Sequence, residues 1–210
     1  MRNRLAGLAL LTAVLASGCA GTPAETEPTV PVVLPGKPGD AGTIVPGDQA
    51  KKYETKPNQA DIDYVTMMIP HHEQAKIMTD LVAAKSSDEQ VRSLAGRIAV
   101  SQDGEVTLMK EWLKNAGQPV PGPGHDHGGD HAMMPGMATP AQLDALRAAT
   151  GKDFERMFLD LMIAHHQGAL TMADGALANG VDQKAQEMAQ HVVTGQSAEI
   201  ERMKVMRTRF

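Results

Sequence analysis

Aromatic side chains are scarce in this 210-residue chain, which has three Phe, two Tyr and one Trp. Any core must therefore be built from aliphatic residues and from methionine, which is unusually frequent at 14. A single cysteine, Cys19, excludes an internal disulfide framework and any cysteine-based zinc site. The net charge of −5 offers no basic footprint for nucleic acid. Runs of β-branched residues and strict apolar–polar alternation are missing from the two longest patterned segments. Ala, Leu, Met, Gln, Glu and Lys dominate there instead, which predicts an all-α fold.

The first 19 residues read as a targeting segment. Arg2 and Arg4 precede a short apolar run, Leu5 to Ala16, too short for a membrane span. Leu15-Ala16-Ser17-Gly18-Cys19 then resembles the bacterial lipoprotein signal, with the leucine one place early. That resemblance implies lipidation of Cys19 and an extracytoplasmic, membrane-anchored protein. Residues 20–57, rich in Pro, Gly, Thr and Glu, have no helical period and read as a flexible tether. Their one apolar patch, Val30–Leu34, is interrupted by Pro31 and bounded by Pro35.

What dominates the remainder, 58–210, is a stretch that occurs twice. Met67–Asp80 reads MMIPHHEQAKIMTD and Leu161–Asp174 reads LMIAHHQGALTMAD, an offset of 94 residues. The offset holds without a gap from Met67–Leu113 to Leu161–Arg207, with 14 identities in 47 positions. An ungapped repeat of this length implies one structural unit used twice. Each unit reads as a helical hairpin, with helices expected near 58–85, 88–115, 152–179 and 182–208. Together they predict a four-helix bundle with a pseudo-twofold axis, formed within one chain or by hairpins exchanged in a homodimer. Asn58 is a good N-cap with Asp61 three residues on, and Ser87 is the expected cap of the second helix. Pro70 should kink the first helix one turn before its histidines.

Within each unit the apolar stripe is interrupted at its middle. Tyr64, Met68, His71, Ala75, Met78 and Val82 share one face of the first helix. Phe158, Met162, His165, Ala169, Met172 and Ala176 share the equivalent face, with His72 and His166 one position round. The second helix of each unit carries Gln102 and Glu105, or Gln196 and Glu199, at mid-stripe. A turn centred near residue 86 or 87 places His71 level with Gln102 and Met68 level with Glu105. The second unit repeats this with His165 by Gln196 and Met162 by Glu199.

Buried histidines must be hydrogen-bonded. One reading is therefore structural: Gln102, Glu105, Gln196 and Glu199 satisfy the imidazoles and fix the register of a non-metal envelope protein. The other makes His71, His72, His165 and His166, with Met68, Met78, Met162 and Met172, metal ligands. Imidazole suits copper, zinc, iron and nickel, and thioether selects Cu(I). Between the units, residues 117–139 form a Gly/Pro-rich loop containing His125, His127, His131, Met133, Met134 and Met137, a metal-tract composition that suggests a second, separate site. A short helix should follow from Thr139-Pro140. A di-iron oxidase is disfavoured, because its Glu-x-x-His signature is missing, so no enzymatic activity is expected.

The doubled M-I-x-H-H-x-x-A-x-x-M, each copy followed by Q-x-x-E-x-x-x-M and the second preceded by M-P-G-M, resembles the bacterial family called domain of unknown function 305. The resemblance covers Asn58 to the C-terminus. It implies a ferritin-like four-helix bundle outside the cytoplasm, with copper binding and resistance in some members. By motif match it carries a metal role to His71, His72, Met68, Met78, His165, His166, Met162 and Met172. The two copies part at Glu73-Gln74 against Gln167-Gly168. The expected function is copper binding that buffers copper or hands it to another protein.

Overall fold

The computed structural model describes residues 30–34, 41–49, 56–122 and 134–210. Cys19, His125, His127, His131 and Met133 lie outside them. Among the described residues five α-helices carry the fold: α1 Gln59–Lys85, α2 Glu89–Asn115, α3 Pro140–Ala148, α4 Gly151–Asn179 and α5 Gln183–Arg207. The four long helices match the two expected hairpins, α1–α2 and α4–α5, with α1 and α4 also packed together across the centre. The short α3 packs on α4.

Local chemistry accounts for the helix ends. At the start of α1, Asn58 and Asp61 form a reciprocal capping box, satisfying backbone donors that a helix start leaves open. The first residue of α3 is Pro140, behind the Thr139–Gln142 capping box. At the end of α2, Gly117 (φ 68°) sends its N–H to the Lys114 carbonyl while the Gln118 N–H reaches Leu113. The N-cap of α2 is Asp88, not Ser87: its carboxylate accepts from the Val91 N–H. Ser86 turns instead to the second hairpin, as described below. Helix α1 runs on through Pro70.

The segment expected to be a structureless tether contains regular pairing. Two short strands, β1 Val32–Leu34 and β2 Thr43–Val45, pair antiparallel with Val33 opposite Ile44. The β-branched residues Val32, Val33, Thr43, Ile44 and Val45 suit a pleated surface. Pro31 and Pro35 flank β1 rather than interrupt its pairing.

Two apolar clusters fill the bundle, one on each side of the buried histidines. One joins Met78, Val82, Leu94 and Ile98 to Phe154, Phe158, Met162 and Met203. The other joins Tyr64, Val65, Met68 and Ile69 to Met109, Trp112, Ala173 and Ala189. The first half of α1 thus packs with the second half of α4 and the reverse, as antiparallel neighbours must.

The interhelix turns are tied across the pseudo-twofold by buried acids 94 residues apart, Asp61 and Glu155. Asp61 accepts from the Val181 and Asp182 backbone N–H groups, each at 3.1 Å. A Cβ at Gly180 would stand 2.3 Å from Asp61 Oδ1, so glycine lets the carboxylate approach. At the equivalent turn Ser86 donates its hydroxyl to Glu155 Oε1 at 2.8 Å. The other ends are joined similarly: Trp112 Nε1–H donates to Asp182 and Arg209 to Asp88. Replacing Asp61 with alanine removes the buried carboxylate that accepts from the Val181 and Asp182 N–H groups and should destabilise the bundle by roughly 3 kcal/mol. Urea unfolding monitored by circular dichroism measures this, and Glu155→Ala should cost less because it releases a hydroxyl able to rotate.

Candidate functional site

Halfway along the bundle the apolar stripes give way to a polar layer. His71 and His72 enter from α1, His165 and His166 from α4, and all four are at most 1% exposed. Their rings form a row. The His71 and His165 centroids are 3.8 Å apart, and His72 and His166 lie 6.4 and 6.3 Å from their own neighbours. Each Nε2 meets an oxygen. His72 Nε2–H donates to Glu105 at 2.6 Å and His166 Nε2–H to Glu199 at 2.8 Å. His165 donates to the His71 carbonyl at 2.9 Å, and His71 to the Pro135 carbonyl at 3.1 Å.

The polar centres of the helices meet as expected, with the side-chain contacts about a turn away from the backbone levels. Glu105 bonds His72 rather than lying level with Met68, and Glu199 bonds His166 rather than lying by Met162. Side chains in a helix lean toward its N-terminus. In an antiparallel pair His72 leans away from the connecting turn and Glu105 leans toward it, which brings together residues that backbone level alone keeps apart. Gln102 and Gln196 are buried beside them, and neither amide has a partner among the described residues.

A carbonyl only accepts, so the bonds to Pro135 and His71 fix the Nε2–H tautomer of neutral His71 and His165. Their Nδ1 atoms, with those of His72 and His166, are buried without a partner among the described residues. Burial, then the neighbouring imidazoles, hold His165 well below the ordinary histidine pKa, and burial first, with His72, takes His71 down to about 3. Both are neutral at pH 7. The helix-face methionines lie in the apolar clusters: Met78 and Met162 in one, Met68 in the other, with Met172 packed against the latter.

Sequence reasoning treated the Met-rich loop as separate from the bundle. Its described end is docked on the centre. Met134–Met137 forms a turn closed by Met137 N–H to Met134 O at 3.3 Å, with Pro135 second and Gly136 (φ 77°) third. Pro then Gly with positive φ is the chemistry of a type II turn, so M-P-G-M itself carried the signal. The Pro135 carbonyl, outside the turn's own bond, accepts from His71. Gln74 grips Ala138 with both amide ends, donating to its O at 2.9 Å and accepting from its N at 2.7 Å. A Cβ on Gly168 would lie 1.9 Å from the Pro135 oxygen, so only glycine admits the turn. Gln74 and Gly168 occupy equivalent positions of the two repeats, so their divergence builds the receptor for this turn.

The depressed histidines have a consequence for the metal-free protein. In the unfolded chain they take up protons near pH 6.5, while in the fold they stay neutral. Their folded pKa lies below the unfolded one, so stability is full above pH 6.5 and falls as pH drops toward 3. The slope should approach ~1.4 kcal/mol per pH unit for each histidine. Urea midpoints at pH 7, 6, 5 and 4 measure it, and His165→Gln should flatten the profile.

A crystal structure of a DUF305 fragment from Deinococcus radiodurans is 32% identical over 74% of this chain and all of its own, with a TM-score of 0.67. A DUF305 protein from Streptomyces coelicolor, assigned as secreted, is 34% identical over 69% of this chain and 89% of its own, with a TM-score of 0.62. CopM in its Cu(II)-bound form is 33% identical over 71% of this chain and 96% of its own, with a TM-score of 0.60; its Cu(I)-bound form superposes at 0.59. No curated protein matches. The family model for the domain of unknown function DUF305 matches residues 61–207, spanning both hairpins and the histidine layer between them, and the chain belongs to that family.

Proposed function

We propose that this protein binds copper outside the cytoplasm, buffering it or handing it on, without catalysing a reaction. One observation carries the reading: four buried imidazoles present Nδ1 atoms that have no partner among the described residues, while each Nε2 is engaged by an oxygen. Ligating histidines ordinarily use their second nitrogen in this way, donating it to a carboxylate or carbonyl that fixes the ring. The layer is also primed for an occupant, because each buried unpaired polar atom costs about 1–3 kcal/mol.

The donor chemistry narrows the ion. No three His, Asp, Glu or Cys side chains among the described residues are gathered closely enough to hold a metal. A closed zinc site needs four protein ligands, whereas Cu(I) accepts fewer donors and favours thioethers, which Met134 and Met137 can add. Taken in pairs, not all together, the Nδ1 atoms of His71, His72, His165 and His166 would hold the ion, with Glu105 and Glu199 orienting the outer pair. Gln102 and Gln196, three residues before Glu105 and Glu199, are buried with side-chain amides that have no partner among the described residues. The resemblance to CopM in its copper-bound forms supports the same reading.

Placement outside the cytoplasm rests on the N-terminal signal and on the Streptomyces relative. No helix among the described residues is long and apolar enough to cross a membrane, so lipid on Cys19 would be the anchor. Cys19→Ala should move the protein from the membrane fraction to the soluble one or block its processing. Unchanged membrane retention would assign the anchor elsewhere.

Copper titration of the folded domain tests the central reading. His71→Gln/His165→Gln should lose the tightest Cu(I) equivalent, with affinity reduced at least tenfold, while circular dichroism stays helical. A folded double variant that keeps every equivalent would make the histidine layer structural. Proton competition should be weaker than for free imidazole, because His71 and His165 are already neutral below pH 6.5.

A further inference from the structure

Two repeats with two histidine pairs would be expected to form two equivalent sites. The Met134–Ala138 turn removes that equivalence. By pseudo-symmetry with His165, which donates to the His71 carbonyl, His71 would donate to the His165 carbonyl; it donates to Pro135 instead. The turn is fitted from three sides: by His71 below Pro135, by both amide atoms of Gln74 on Ala138, and by the bare Cα of Gly168. Met134, one residue before Pro135, is buried, at 6% exposed. This buried thioether adjoins the residue whose carbonyl orients His71.

We propose that Met134–Ala138 is a docked strap that gives the centre one composite imidazole–thioether site for a soft monovalent ion, built from His71 and Met134, in place of two equivalent imidazole sites. The inference rests on the copper reading and deepens it. The strap acts in two ways. Its Pro135 carbonyl holds His71 by Nε2–H and so aims Nδ1, as the His71 carbonyl does for His165. Its Met134 adds the soft donor that favours Cu(I) over Cu(II). Gln74 and Gly168 are positioning residues, since they hold the strap and touch no ion. Loop and bundle then act as one site, and the ordering cost of a free loop is already met by the docked turn.

Gly168→Ala separates the strap from the histidines, because its Cβ would overlap the Pro135 oxygen while every imidazole remains. Gly175→Ala is the control: it lies on the same helix and its Cβ meets nothing within 4 Å. The probe is Ag(I), a redox-inert soft monovalent ion, added to protein carrying 13C-methyl methionine and 15N-histidine. Met134→Leu assigns the Met134 methyl signal. In the unaltered protein and in Gly175→Ala, the Met134 methyl and the His71 ring should shift together within the first equivalent. In Gly168→Ala that joint shift should disappear and Ag(I) affinity fall roughly tenfold to a hundredfold. Circular dichroism and amide exchange at Ala138, measured without metal, report that the bundle is folded and the strap released. If the histidines shift while Met134 stays silent, or if both histidine pairs fill alike, the strap proposal is wrong and copper binding stands. If no histidine responds to Ag(I) or Cu(I), the copper reading fails and the composite site with it.

Discussion

The structure depends on how four imidazoles are kept dry at the middle of a bundle. An imidazole without hydrogen-bond partners is costly to bury, and four side by side add mutual repulsion once more than one is charged. The fold answers with one oxygen for each Nε2: two carboxylates from the outer helices α2 and α5, one main-chain carbonyl from α1 and one from the turn at Pro135. The outer pair takes carboxylates that are themselves partly exposed. The inner pair, packed ring against ring, takes neutral carbonyls. That distribution keeps charge at the edge of the layer and a neutral pair at its centre. It also divides the apolar core into two clusters, and the buried acids Asp61 and Glu155 secure the turns at their outer ends.

Much of this was legible in the chain. The repeat at offset 94 gives the two hairpins, and the stripe interrupted at His71 and His165 gives the polar layer. The Asn58–Asp61 cap and the Thr139-Pro140 helix start follow from local chemistry alone. Three features were hidden for physical reasons. Backbone level predicts contacts only to within a turn, because side chains lean along the helix, so Glu105 was placed by Met68 rather than His72. Ser87 and Asp88 are both good caps, and the choice falls to Asp88 through its contacts with Val91 and Arg209. The β1–β2 hairpin escaped because Pro31 and Pro35 obscured a three-residue strand whose partner lies beyond a Gly/Pro-rich stretch.

The most informative hidden feature was the docked turn. Gly and Pro in residues 117–139 read as loop punctuation, and that reading is sound for composition. Position matters more here than composition. Met-Pro-Gly-Met specifies a turn that leaves one carbonyl free to accept, and an acceptor is what a neutral inner histidine lacks. The receptor consists of a glutamine and a glycine whose roles cannot be read singly. A glutamine on a helix surface is ordinary, and a helical glycine usually signals lost stability.

Differences between the two copies of a repeat fall into two physical kinds, and this chain contains both. Asp61 against Glu155, read with Gly180 against Ser86, is a compensated difference. Each longer or shorter acid meets a turn residue that restores the same tie, by backbone N–H in one copy and by hydroxyl in the other, so the pseudo-twofold survives. Gln74 against Gly168 is uncompensated. The two residues do not perform one task twice; both serve the single Met134–Ala138 turn, which has no equivalent in the other half. A duplicated scaffold gives the imidazole row its symmetry and its rigidity. The turn then selects one end of that row, and the asymmetry needed to distinguish one histidine from its mate resides in two helix-surface positions rather than in the histidines themselves.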